Sequence, residues 1–171
     1  MILEIIRHTP VWVWAVLAKL VVVGLWQTRA RQMGVLRVTV LPLVMIALSL
    51  GGVLSVFGHL PAASGGWAAG VGAALAFGRN LVTVRGAHWS PRTAALHVPG
   101  SWLPLTLVLV LFAIKYVAAA SLALHPLLAT DAAFAGACCL GVGCLSGLFL
   151  ARSLSLRSLA PRTSALGFAL P

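Results

Sequence analysis

Two lysines stand inside long apolar segments of the 171-residue chain. Lys19 follows Pro10 by nine residues, and Lys115 precedes His125 by ten residues. At about 1.5 Å of rise per helical residue, each lysine lies roughly 14–15 Å from the end of its segment. That depth is close to the midplane of a membrane core about 30 Å thick. An ionisable side chain there is a candidate functional group, and Lys115 is the stronger candidate because Tyr116 adjoins it.

Three outcomes are open to an amine at this depth. Desolvation can remove its proton, or the amine can bond to backbone carbonyls or to Tyr116. It can also line a wet cavity that holds an anion or a lipid headgroup. The structural alternative is a lysine whose amine is fully hydrogen-bonded and whose only role is in packing.

Three histidines and one carboxylate fall at the ends of apolar segments on one side of the expected membrane. They are His8, His59, His125 and Asp131. Imidazole and carboxylate are ordinary metal ligands, so a metal or haem site is one hypothesis. The sequence contains no His-x-x-x-His pair among them, and the competing interpretation is histidines that simply stabilise helix ends.

No catalytic signature accompanies these groups. Cys138, Cys139 and Cys144 lie in one apolar segment and share no helix face well, so they are expected to be small packing residues. The only acids are Glu4 and Asp131, and no phosphate-binding loop or nucleophile elbow occurs. We therefore expect no enzyme and no bound cofactor.

The composition defines the class of protein that must hold these residues. Hydrophobic residues make up 61% of the chain, charged residues 8%, and the mean hydropathy is +1.05. Soluble domains carry about 45–50% apolar and about 25% charged residues. The twelve Lys and Arg and two acids give a net charge of +10, which in a membrane chain reflects basic cytoplasmic loops. The bilayer is the expected partner, and nucleic acid is not.

Hydrophobic runs and turn signals predict an all-α integral membrane bundle of five transmembrane helices. The expected spans are 10–26, 38–58, 61–82, 102–124 and 131–150, in one domain covering 1–155. Residues 83–100 are expected to form a short cytoplasmic β-hairpin or ordered loop between helices three and four. Residues 156–171 are expected to form a loosely ordered basic tail.

The arginines orient this bundle. Nine fall in one set of loops and only Arg7 falls on the other side. Because basic residues collect on the cytoplasmic side, we expect a bacterial inner-membrane protein with a periplasmic N-terminus and a cytoplasmic C-terminus. The nine are Arg29, Arg31, Arg37, Arg79, Arg85, Arg92, Arg152, Arg157 and Arg162.

Small residues recur every four positions in two of the spans and predict close helix packing. Packing within the chain is favoured over a homodimer. In span three they are Gly66, Gly70, Ala74 and Gly78, and in span five Ala135, Cys139, Gly143, Gly147 and Ala151.

The chain also resembles a family of small proteobacterial inner-membrane proteins that is known only as a domain of unknown function. The resemblance spans roughly residues 5–155 and rests on four motifs: HTPVWVW at 8–14, PGSWLPL at 99–105, Lys115-Tyr116 with His125-Pro126, and SGLFLAR at 146–152. A hairpin followed by a span with a basic residue is also similar to CcdC-type membrane proteins. The resemblance implies an inner-membrane location and brings no activity with it.

Three functions follow as hypotheses. The first is an accessory or interaction protein that binds another membrane protein or a second copy of itself. The second is a carrier for a small solute, an anion or a lipid, using the intramembrane lysines. The third is a metal- or haem-binding redox protein using the outer histidines.

Overall fold

The computed structural model describes residues 10–78, 82, 86–90 and 95–159. That part of the chain contains five α-helices and three short strands. In chain order they are α1 (Val11–Gln27), β1 (Arg31–Met33), α2 (Val35–Phe57), α3 (Pro61–Phe77), β2 (His88–Ser90), β3 (Ala95–Val98), α4 (Leu103–Leu124) and α5 (Ala132–Arg157). A 3₁₀-helix, Pro126–Thr130, links α4 to α5.

The prediction of a mostly helical chain with five helices and a small hairpin before helix four is confirmed for this part of the chain. Three segments are long and apolar enough to cross a membrane, namely Val38–Phe57, Leu103–Leu124 and Ala132–Arg157. Helix α1 is apolar but shorter, with 17 residues. Helix α3 also has 17 residues, and most of them are Ala or Gly.

Neighbouring helices run in directions that alternate along the chain. Gly24 of α1 contacts Leu105 of α4, and the backbone of Gly100 lies against that of Thr28, so α1 and α4 are antiparallel. Helices α3 and α5 are parallel, because their contacts advance together from Gly66 onward. This pattern brings the ends of α1 and α5 and the starts of α2 and α4 to one end of the bundle.

Two hydrophobic clusters hold the described chain together. The larger one joins α2, α3 and α5 through Val53, Phe57, Ala63 and Val142, and the rings of Phe57 and Phe134 meet edge-on at 6.3 Å. The smaller cluster lies at the end of the bundle where the strands are. It consists of Val38, Leu96, Val98 and Leu156, with Ala87 and Trp89 packed against it.

The strands form one antiparallel sheet in the order β1-β3-β2. Leu96 is fully buried and Val98 is 5% exposed, because alternate residues of β3 turn toward the small cluster. Strand β1 was not predicted. It has only three residues, too few to show an alternating pattern, and it is held in place by pairing with β3.

Two helices extend beyond the expected spans. Helix α2 begins at Val35, three residues before its expected span, and α5 continues past residue 150 to Arg157. The hydroxyl of Ser153 donates to the carbonyl of Val38, and Leu156 is buried in the small cluster. The first residues of the expected loose tail are thus helical, because tertiary packing holds them. The part of that tail from 160 to 171 lies outside the described residues.

Candidate functional site

The small residues of α3 lie directly on the backbone of α5. A methyl group on Gly66 would stand 2.6 Å from the carbonyl oxygen of Gly136, and one on Gly70 would collide with the backbone at Leu140. Only glycine fits at such a close approach of two helices. The same seam includes Ala74 and Gly78 on the α3 side and Gly143 and Gly147 on the α5 side.

Three polar side chains form a hydrogen-bonded chain beside this seam and connect α2, α3 and α5. The indole N–H of Trp67 donates to the hydroxyl of Ser49 at 3.1 Å. The hydroxyls of Ser49 and Ser146 lie 2.8 Å apart, and that of Ser146 lies 2.8 Å from the carbonyl oxygen of Val142. A hydroxyl has a single proton to donate. With Ser146 donating to Val142 and Ser49 donating to Ser146, every donor in the chain has an acceptor.

The amine of Lys115 lies close to the backbone of a neighbouring helix. Lys115 belongs to α4, and its Nζ would stand 3.2 Å from a methyl group placed on Gly52 of α2. The lysine is itself exposed, so its amine lies beside α2 at the surface of the bundle.

No carboxylate of the described chain is available to the Lys115 amine. Asp131 is the single acid between residues 10 and 159. It caps α5, where its carboxylate accepts hydrogen bonds from the N–H groups of Ala133 at 2.8 Å and Phe134 at 3.3 Å. This carboxylate is therefore engaged in capping α5.

The other two candidates that the sequence placed in apolar segments are Lys19 on α1 and Tyr116 on α4. Lys19 is exposed, and at 3.6 residues per turn it lies about 140° around α1 from Gly24, the residue that contacts α4. Tyr116 stacks on Phe112 of its own helix, with ring centroids 6.2 Å apart. The two lysines thus lie on separate surfaces, although both belong to the apolar part of the bundle.

The proposed outer metal ligands do not form a cluster in the described chain. His59 and His125 are exposed at helix ends, and Asp131 is engaged as a helix cap. Among the described residues, no group of three or more His, Cys, Asp or Glu side chains is close enough to hold a metal ion. His8 lies outside the described residues.

The three cysteines of α5 are free thiols with different surroundings. Cys139 is buried beside the α3 seam, and Cys138 and Cys144 are half-buried. Cys139 belongs to the larger hydrophobic cluster, together with Ala63 and Val142.

Two histidines of the polar stretch 83–100 are paired across neighbouring strands. His88 of β2 lies opposite His97 of β3, and their rings stack with centroids 5.1 Å apart. Both histidines lie within the stretch 83–100 that was expected to form a hairpin or loop, but strand register was needed to pair them.

Several arginines gather at the same end of the bundle as the sheet. Arg29 and Arg157 are exposed there, and Arg152 is half-buried. The backbone of Arg31 is in β1 and that of Arg37 is in the first turn of α2. The remaining arginines lie outside the described residues, namely Arg7, Arg79, Arg85, Arg92 and Arg162.

These features define a class of small helical protein with long apolar helices, a glycine-lined helix pair and a strand-capped basic end. A family model described as a family of unknown function (DUF6622) matches residues 1–165. The chain therefore belongs to that family, and the predicted membership of a family of unknown function is confirmed. No curated protein and no solved structure matches the chain.

Proposed function

We propose that this chain is an integral membrane protein of the bacterial inner membrane and acts as an accessory protein rather than an enzyme. Three long apolar helices support the membrane assignment. So do large apolar side chains on the outside of the bundle, such as Leu36 at 78% and Trp26 at 74% exposure. Exposure of such an apolar surface carries a free-energy penalty in water but not in lipid.

The observation that carries the accessory role is the outer face of α3. This face points away from α5 and carries only small side chains along most of its length. A methyl group added at Gly65 or Gly72 would meet nothing within 4 Å. The exposed small residues are Ser64, Gly65, Ala68, Ala69, Gly72, Ala73 and Ala76.

A face of this kind suits another helix better than it suits lipid. The outward faces of α1 and α2 carry large residues such as Trp12 and Leu48, whereas small residues bury little apolar area in lipid. Small residues let two helix backbones approach closely, which is the main source of association between helices in a membrane. The occupant is therefore a transmembrane helix with small residues of its own.

Charge favours a different protein over a second copy of this chain. The net charge is +10, and two copies inserted in the same orientation would bring their arginine-rich ends side by side. A partner with acidic residues in the adjoining cytoplasmic loops removes that repulsion. We infer that the partner is a multi-pass membrane protein of this description.

Photo-crosslinking in intact cells tests the proposal. A photoreactive amino acid at Ala69 should yield one discrete adduct, whereas the same probe at Ala18, on the exposed side of α1, should not. Gly72→Leu should abolish the adduct by covering the face. Gly51→Leu, at an exposed glycine of α2 with nothing within 4 Å, should leave it intact.

Two results would contradict the accessory role. One is an adduct of twice the 17.8 kDa chain mass, which would make the occupant a second copy. The other is equal crosslinking from Ala69 and Ala18, which would mean that the face of α3 touches only lipid.

The exposed amine of Lys115 beside Gly52 favours a second candidate function, the binding of a lipid-like anion. An ammonium group near the midplane without a carboxylate partner attracts a carboxylate or phosphate whose acyl chain lies in the bilayer. Gly52 contributes by leaving space beside the amine. Entry from the side of the bundle fits the exposure of Lys115.

Spin-labelled stearate and spin-labelled phosphatidylglycerol test this candidate and separate the two sources of the anion. The reconstituted protein should immobilise one of them, and Lys115→Met should remove that signal. Lys19→Met is the matched control and should retain it. Equal immobilisation by the parent and Lys115→Met would reduce Lys115 to a structural residue.

A further inference from the structure

The solvent face of the three-stranded sheet carries a row of three side chains that can bind a metal ion, one amide and two imidazoles. Strand register places Gln32 of β1 opposite His97 of β3, and His97 opposite His88 of β2. Residues directly opposite each other on one face of a sheet have Cβ atoms about 5 Å apart. The other face of the sheet is fixed to the bundle by buried Leu96 and Val98, so the row stands on a rigid support.

The two imidazole rings are about as far apart as two histidines on one metal ion, and rotation about the side-chain bonds of the exposed His88 would turn the stacked rings so that a nitrogen of each faces the same ion. Their centroids are 5.1 Å apart and the planes are inclined by 27°. An imidazole nitrogen binds Zn²⁺ at about 2.0–2.1 Å and lies about 1.1 Å from its ring centre, so two imidazoles on a tetrahedral ion hold their centroids roughly 5 Å apart.

One of the rings is oriented by the backbone in the way that metal-binding histidines are. Nδ1 of His88 lies 3.3 Å from the carbonyl oxygen of Gly86. A proton on Nδ1 donated to that carbonyl leaves Nε2 with a free lone pair. Gly86 has a φ of 82°, a backbone conformation that residues other than glycine rarely adopt. In this conformation the carbonyl of Gly86 faces His88.

We propose that His88 and His97 form a binding site for a transition-metal ion, with the amide of Gln32 beside them. Two imidazoles without a carboxylate select borderline ions such as Cu²⁺ and Zn²⁺ over Mg²⁺ and Ca²⁺. The two protein ligands leave coordination positions open for water or for a donor from another molecule. Cu²⁺ binds most tightly at such a site, following the general order of divalent metals.

The five histidines of the chain allow a clean test by Cu²⁺ titration of the purified full-length protein in detergent. The triple variant H8A/H59A/H125A keeps only His88 and His97 and should bind one Cu²⁺ with the affinity of the parent. Its electron paramagnetic resonance spectrum should show coupling to two nitrogens. His97→Ala and His88→Ala should each weaken binding by roughly tenfold or more.

The melting temperature and protection from alkylation distinguish loss of the metal site from loss of folding. His88 is exposed on an edge strand, so His88→Ala should leave the melting temperature unchanged while it weakens Cu²⁺ binding. Zn²⁺ should protect both rings from alkylation in the parent. Loss of Cu²⁺ binding in the triple variant would overturn the proposal, and so would undiminished binding in His88→Ala and His97→Ala.

Discussion

Two glycines of α3, Gly70 and Gly72, are close in sequence but have opposite surroundings. Gly70 is buried against the backbone of α5, and a methyl group there would stand 2.7 Å from the amide nitrogen of Cys144. Gly72 is exposed, and a methyl group there would meet nothing within 4 Å. The fourfold spacing includes Gly70 and excludes Gly72, and the contacts show that the stripe with Gly70 is the one that faces α5.

Gly70→Ala should destabilise the protein, whereas Gly72→Ala should not. Backbone atoms surround Gly70 and cannot rotate away, so overpacking should cost about 1–3 kcal/mol. At Gly72 the better helix propensity of alanine should be neutral or stabilise by up to about 1 kcal/mol. Thermal unfolding of the two detergent-solubilised variants measures the difference. Equal melting temperatures would show that the two helices do not meet at Gly70.

The last two turns of α5 act as a support for the sheet. Ser153 is bonded to the start of α2, and Leu156 is 5% exposed in the cluster beneath β3. This contact joins two helix ends to a sheet that is otherwise held only by short strands. The region expected to be a tail therefore positions His88 and His97.

Leu156→Ala should loosen the sheet, and Leu154→Ala should have little effect. Truncation of a buried leucine leaves a cavity and costs about 2–5 kcal/mol. Leu154 is 39% exposed and offers a matched control on the same turn. Amide hydrogen exchange should become faster in β3 for Leu156→Ala alone. Unchanged exchange in β3 would mean that the sheet is stable without α5.

Viewed as a whole, the described chain has two chemically different ends. The end with the sheet holds the described arginines, including exposed Arg29 and Arg157. The opposite end holds Asp131 and two exposed histidines, His59 and His125. Because the helix directions alternate, α1, α3 and α5 all end at the end with the sheet.

Reporter fusions test the orientation of the bundle. A reporter active only in the periplasm should work after His59 and after Thr130. A reporter active only in the cytoplasm should work after Ala30 and after Ser158. The basic residues near Ala30 and Ser158 oppose translocation of those segments. Periplasmic activity of the fusion after Ser158 would refute the five-span arrangement.

The candidate site at Lys115 was only partly predictable. The position of Lys115 within an apolar segment identified it as a candidate, because charge in such a segment is rare. Its neighbour Gly52 comes from a helix far away in sequence. No local pattern carries information on such a contact, since it depends on how the helices pack.

The amino-acid sequence by itself determined the five helices and the glycine stripe of α3. Long apolar runs and fourfold spacing are local properties, which is why they can be read without a structure. Only the tertiary structure decided which stripe faces α5, where α5 ends, and that His88 meets His97. Each of these depends on contacts between distant segments. A strand of three residues and a helix extended by two turns form only because the sheet and the bundle stabilise each other.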